Sequence, residues 1–235
     1  MTIILHSSKD DVQHKYYILG HALAQSSTYF RGCITAPRVS DKPLEIKLFD
    51  IEREAFEVYL KWIYTGRLFI RSLKTESAPV IDVEKQPERP SDLAWTEEWG
   101  RWGAAYALGQ RLNDVDFKDA CIDAAIEKLR QELRSARHVA QAIPNIIYTY
   151  SVDGSPARAF AVDLVLRQCT HADFEAIRKE SAFPDFVGDL LVGTSKQFVM
   201  GMKQPDPLQG TNNCHYHEHS TVDAKCYKLK KAYWF

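Results

Sequence analysis

The segment from Leu44 to Leu68 limits the fold most strongly, because its hydrophobic period changes from two to that of a helix. In LEIKLF, Leu44–Phe49, apolar residues alternate with charged ones, which predicts a strand with one buried face. The apolar residues that follow recur at helical spacing and predict one buried stripe: Phe56, Tyr59, Leu60 and Ile63. Asp50 is the predicted helix cap, and Gly66 stands where a helix C-terminal glycine belongs.

The sequence before this segment predicts the rest of a small sheet. Thr2–Leu5 is apolar and β-branched, and Val12–Ile18 is a second extended run after a polar turn, which indicates a hairpin. We expect this hairpin to pair with Leu44–Phe49 in a three-stranded sheet capped by helices. The predicted fold class is therefore α/β of the α+β type, with a mostly α-helical extension after it.

The remaining chain predicts three parts: a first domain over residues 1–133, a helical extension over 134–202 and a tail over 203–235. Within the first domain, Ser72–Asp92 holds three prolines and few large apolar residues, so we predict a mobile insertion that is dispensable for folding. The later segments have helical patterns, and Pro144 predicts a break in one of those helices.

Composition argues against several classes of function. The net charge is −1, which does not favour nucleic-acid binding, and no apolar run is long enough to predict a transmembrane helix. The N-terminus does not have the pattern of a signal peptide, and five scattered cysteines are typical of a reducing compartment. We therefore expect an intracellular protein of the cytoplasm or nucleus. Because no catalytic or phosphate-loop motif is complete, we expect no enzyme and no small-molecule substrate.

The tail contains the one dense group of residues that could bind a metal. Five cysteine and histidine residues fall within CHYHEHSTVDAKC, and the predicted ligands are Cys214, His217, His219 and Cys226. Zinc takes four thiolate or imidazole ligands, so this set could hold one ion. The alternative is a solvated tail, without cofactor, that docks on the helical region or stays loose.

Several motifs of the first domain resemble the BTB/POZ family. Ser27–Arg31 (STYFR) resembles the motif that ends the family's first helix pair, and Tyr64–Leu68 (YTGRL) resembles the end of its next helix. The segment YALGQRLNDVDFKDACIDAAI resembles the helical pair that follows. The resemblance covers roughly Thr2 to Leu133, and the helical extension is similar to that of BTB proteins from filamentous fungi.

This resemblance implies a non-catalytic adaptor or scaffold whose partner is a protein, either a cullin or another BTB chain. In the loop before the strand, Val39-x-Asp41 is a shifted substitute for the apolar-x-Glu signature of cullin-binding members. The extra N-terminal strand and helix of many dimeric members are not seen ahead of the hairpin, which implies a shorter form similar in extent to elongin C. We predict a docking surface made of Thr35–Pro43 and the helix around Glu52–Tyr64, with Phe49 and Tyr59 near its edge.

Overall fold

The structure is a computed structural model. It describes residues 1–6, 12–37, 42–70, 92–131, 136–180, 183–199, 201, 206–210 and 212–230, without the side chains of 92–95, 136–141 and 180. The predicted insertion, Ser72–Asp92, lies outside the described residues apart from Asp92, where a helix begins. Its dispensability therefore stays a prediction.

Three short strands form one sheet, as predicted. They are β1 (Thr2–His6), β2 (Gln13–Tyr17) and β3 (Glu45–Phe49). Their order is β2-β1-β3, with β1 antiparallel to β2 and parallel to β3. Side chains alternate between the faces of a strand, so Ile3, Leu5, Ile46 and Leu48 all point into the core. The predicted pairing of the hairpin with the third strand is confirmed.

Two helices connect the hairpin to β3: α1 (Gly20–Ser26) and α2 (Thr28–Thr35). Ser27 separates them and caps α2, because its Oγ accepts a hydrogen bond from the Phe30 N–H at 3.2 Å. The same hydroxyl donates to the Leu112 carbonyl at 2.7 Å. Because this buried hydroxyl both donates and accepts a hydrogen bond, it stabilises the contact between the α1–α2 junction and the chain at Leu112.

The aromatic helix α3 (Arg53–Thr65) packs against the sheet. Phe56, Tyr59 and Ile63 are buried, as predicted, and Gly66 ends the helix with a left-handed φ of 68°. The predicted cap was wrong: Glu52 occupies that position, and Asp50 adopts a φ of 53° in the turn after β3. The extended backbone of Glu52, rather than a side-chain hydrogen bond, starts the helix.

Most of the remaining described chain is helical. The longer helices are α4 (Asp92–Arg111), α5 (Val115–Gln131), α6 (Ala136–Thr149), α7 (Pro156–Gln168), α8 (His171–Glu180) and α9 (Pro184–Val199), and α10 (Tyr227–Lys230) is one short turn. The predicted break at Pro144 was wrong, because α6 continues through it. Among the described helices, none combines the length and the apolar character that crossing a membrane requires.

One hydrophobic cluster runs from the sheet through the helices to the tail. Asp114, which is buried before α5, joins three of its elements. Its carboxylate accepts hydrogen bonds from Ser26 Oγ at 2.7 Å and Tyr59 OH at 2.8 Å, and it caps α5 through the Phe117 N–H at 3.0 Å. Residues from all three predicted parts belong to this one cluster, so the core gives no test of domain boundaries after residues 133 and 202. Those boundaries stay predictions.

Candidate functional site

The four predicted metal ligands come together in the described part of the tail. Cys214 begins one short 3-10 turn (Cys214–Tyr216), and His219 lies in the next (Glu218–Ser220), with His217 between them. Cys226 directly precedes α10. The tight turns return the chain on itself, so that residues close in sequence can surround one point.

The ligand atoms of this cluster are spaced closely enough to hold one ion. The four atoms, two sulfurs and two imidazole nitrogens, all lie within 4.8 Å of one another, and Cys226 Sγ is 4.0 Å from His217 Nδ1. Tetrahedral zinc with bonds of about 2.0–2.3 Å places its ligand atoms roughly 3.3–3.8 Å apart. The longest of these separations would have to shorten by about 1 Å around an ion to reach that geometry.

Each histidine of the cluster has a carboxylate from α5 beside one of its ring nitrogens. His219 Nδ1 lies 2.8 Å from Asp119 Oδ2, which leaves Nε2 for the cluster. His217 is turned the other way, since its Nδ1 faces Cys226 and its Nε2 lies 3.3 Å from Asp123 Oδ1. That Nε2 is buried, and its direction to the carboxylate falls short of a hydrogen bond.

The electrostatics of the cluster suit a cation. Burial and, to a smaller extent, the neighbouring Cys214 raise the pKa of the Cys226 thiol to about 11, so the thiolate needs a positive charge nearby to form. Burial alone would raise the pKa of Asp123, but His217, Lys228 and Tyr227 hold it below its usual range. A bound zinc ion would deprotonate the coordinating thiols outright.

Sequence reasoning picked out the four residues of the cluster but missed the two aspartates. They precede the tail by about a hundred residues, and only the packing of the tail on α5 brings them to the histidines. Their separation of four residues on an amphipathic helix is the one signal in the sequence, because it places both on one face. His215, the fifth candidate of the tail, is exposed and is not among the residues whose ligand atoms converge.

The predicted interaction residues have different outcomes. Phe49 ends β3, is 52% exposed, and stacks on His6 with ring centroids 5.1 Å apart. Tyr59 was wrongly placed at the edge of a docking surface: it is 0% exposed, because its ring lies between α3 and the start of α5. Val39 and Asp41 lie outside the described residues, so the prediction for them is not tested.

Phe49 belongs to the outer face of the sheet. Lys47 and Phe49 on β3 and Lys15 and Tyr17 on β2 are exposed there, while Ile4 on the central strand is buried beneath them. The face thus presents two aromatic rings, at opposite corners, with two cationic side chains between them and exposed polar side chains at the other two corners. We refer to the four exposed aromatic and cationic residues as the outer sheet face.

Comparison with known protein families gives a match to the first part of the chain. The family model of the BTB/POZ domain matches residues 2–83. This match contains the whole sheet, α1, α2 and α3, in the order that the motifs predicted. No curated protein matches the chain.

Proposed function

We propose, from the match of residues 2–83 to the family model of the BTB/POZ domain, that the protein is a non-catalytic adaptor or scaffold that binds other proteins. Such a domain has a protein–protein interaction role. The outer sheet face supports the proposal, because exposed aromatic residues such as Phe49 and Tyr17 are the type enriched at protein interfaces. The partner is either a second copy of the domain or a cullin-type subunit of a ubiquitin ligase.

The location proposed for this adaptor is the cytoplasm or the nucleus. Its five cysteines are all free thiols in the structure, a state that a reducing compartment maintains. No small molecule, membrane surface or nucleic acid is part of the proposal.

Phe49→Asp should weaken partner binding at least about tenfold, since an interface aromatic that becomes charged loses its apolar contact. We would measure self-association by sedimentation velocity at micromolar concentrations, and cullin binding by capture of a purified cullin N-terminal domain. The variant should keep the melting temperature of the unmodified chain, because Phe49 is half exposed.

Phe198→Asp is the matched control, because Phe198 is an exposed phenylalanine on α9, outside the BTB/POZ domain. It should bind partners as the unmodified chain does. A chain that sediments as a monomer and captures neither a cullin nor any other protein from extract would contradict the adaptor proposal. Equal losses in both variants would contradict the role of the outer sheet face.

A second candidate function is that of a metal-dependent interaction protein with zinc in its tail. It is supported by the convergence of Cys214, His217, His219 and Cys226 within 4.8 Å. Two thiolates and two imidazoles make a closed structural site, because no position is left for water or substrate. Such an ion would hold the tail in one conformation and so keep the surface around it fixed.

Purified in reducing buffer, the chain should carry one zinc ion, measured by elemental analysis against protein concentration. Cys226→Ser should lose the ion because it removes one of four ligands. Cys33→Ser and His215→Ala should keep it, since both side chains lie outside the cluster. Metal-free protein, or equal zinc in Cys226→Ser, would contradict the site. Partner capture that survives removal of the ion would contradict the metal dependence of the interaction.

A further inference from the structure

We propose that Asp119 and Asp123 on α5 are positioning residues for a zinc ion in the tail. Because they hold the histidines that bind the ion, the bound ion fixes the tail to this helix. The inference rests on the zinc site of the second candidate function. It assigns a role to two residues outside the ligand set and predicts which nitrogen of each histidine binds the ion.

The first observation is that one helix face supports the whole ligand loop. Asp119 and Asp123 are four residues apart on α5, so their side chains project from the same side. Asp119 is fully buried and supports the middle of the loop, because it accepts hydrogen bonds from the backbone N–H groups of Glu218 at 2.6 Å and His219 at 3.3 Å. These contacts hold the chain between the second and third ligands.

Asp123 holds both ends of the same loop. It accepts hydrogen bonds from Asn213 Nδ2 at 3.2 Å, before the first ligand, and from Tyr227 OH at 2.7 Å, after the last. Lys228 Nζ lies 2.8 Å from the same carboxylate. A tail of this length has little core of its own, and α5 supplies the rigid support that a preorganised metal site needs.

The second observation is the orientation of the two imidazoles. Metal-binding histidines usually donate their other ring N–H to a carboxylate or a carbonyl, which fixes the tautomer and the ring. Here Asp119 faces Nδ1 of His219, and Asp123 faces Nε2 of His217. The ion is therefore expected to bind His219 through Nε2 and His217 through Nδ1.

The test compares zinc affinity in the full chain, measured by competition with a chromophoric chelator in reducing buffer. Asp119→Asn and Asp123→Asn should each weaken zinc binding roughly 10–100-fold, as is usual when such a partner is lost. Asp116→Asn is the matched control. This aspartate also lies on α5 and contacts the tail, through Lys230 Nζ at 2.8 Å, but in the described part of the chain no residue of the ligand set contacts it.

Asp116→Asn should keep the affinity of the unmodified chain. If all three variants weaken zinc equally, the aspartates only hold the tail and the positioning role is wrong. If the unmodified chain binds zinc and neither Asp119→Asn nor Asp123→Asn changes the affinity, the inference fails while the zinc site stands. A chain that binds no zinc contradicts the site itself.

A second measurement needs no variant and so does not depend on how a variant folds. Long-range ¹H–¹⁵N spectra of the zinc-loaded chain report which imidazole nitrogen carries the proton. We expect a protonated Nδ1 in His219 and a protonated Nε2 in His217. The same tautomer in both histidines would overturn the inference, because one carboxylate would then face a metal-bound nitrogen.

Discussion

Replacing Phe56 with alanine should lower the free energy of unfolding by about 3–5 kcal/mol, the usual cost of removing a buried phenylalanine. Phe56 is 0% exposed and lies where α3 meets the sheet. Its ring centroid is 5.2 Å from that of Tyr16 on β2 and 6.2 Å from that of Tyr59 on α3. The cavity left by alanine would therefore remove contacts on both sides of this junction.

Urea unfolding followed by circular dichroism would measure the change, with the slope of the transition checked for two-state behaviour. Tyr64→Ala is the control, since it removes an aromatic ring from the same helix at a position that is 47% exposed. Surface substitutions of this kind stay within about 0.5 kcal/mol. Equal effects in the two variants would contradict the packing of α3 on the sheet.

The sequence predicted the sheet and α3 well, because both have one buried face and one exposed face. Alternation in Leu44–Phe49 and the helical spacing after it each report which side of the backbone meets the core. Gly66 was predicted for a similar reason, since a left-handed residue after a helix favours glycine. Such features depend on neighbours a few residues away, which the sequence shows directly.

Features that depend on distant contacts were not predicted. Tyr59 was assigned both to the buried stripe and to a docking surface. Its hydroxyl can be buried because it donates a hydrogen bond to Asp114, a contact that the sequence does not reveal. Pro144 predicts a break in the helix, yet α6 continues through it, because tertiary packing can override a local preference. The two aspartates beside the histidines became visible only when the tail was seen on α5.

Contacts between the tail and the helices show that the tail is docked rather than loose. Glu218, in the tail, accepts hydrogen bonds from Lys118 Nζ at 2.9 Å and from Ser155 Oγ at 2.6 Å. Lys118 comes from α5 and Ser155 from the start of α7, so three separate parts of the chain meet at one carboxylate. Both charged residues of the pair are buried, and the Lys118 ammonium gains a further acceptor in Gln110 Oε1 at 2.7 Å.

Glu218→Ala should therefore lower the free energy of unfolding by about 3–5 kcal/mol, because it leaves the Lys118 ammonium buried without its counter-charge. Glu218→Gln should cost less, since the amide oxygen still accepts from the ammonium and from Ser155. Lys118→Met combined with Glu218→Gln should recover most of the loss in Glu218→Ala, because no unpaired charge remains in the interior.

Glu175→Ala provides the comparison with an ion pair that is exposed. Glu175 lies 3.0 Å from Arg178 on the surface of α8, and exposed pairs contribute little to stability, so its melting curve should be unchanged. If the tail is detached in solution, Glu218→Ala should change the free energy of unfolding as little as Glu175→Ala does. A single cooperative transition at a lower denaturant midpoint would instead mean that the tail unfolds together with α5 and α7, as one part of the hydrophobic core.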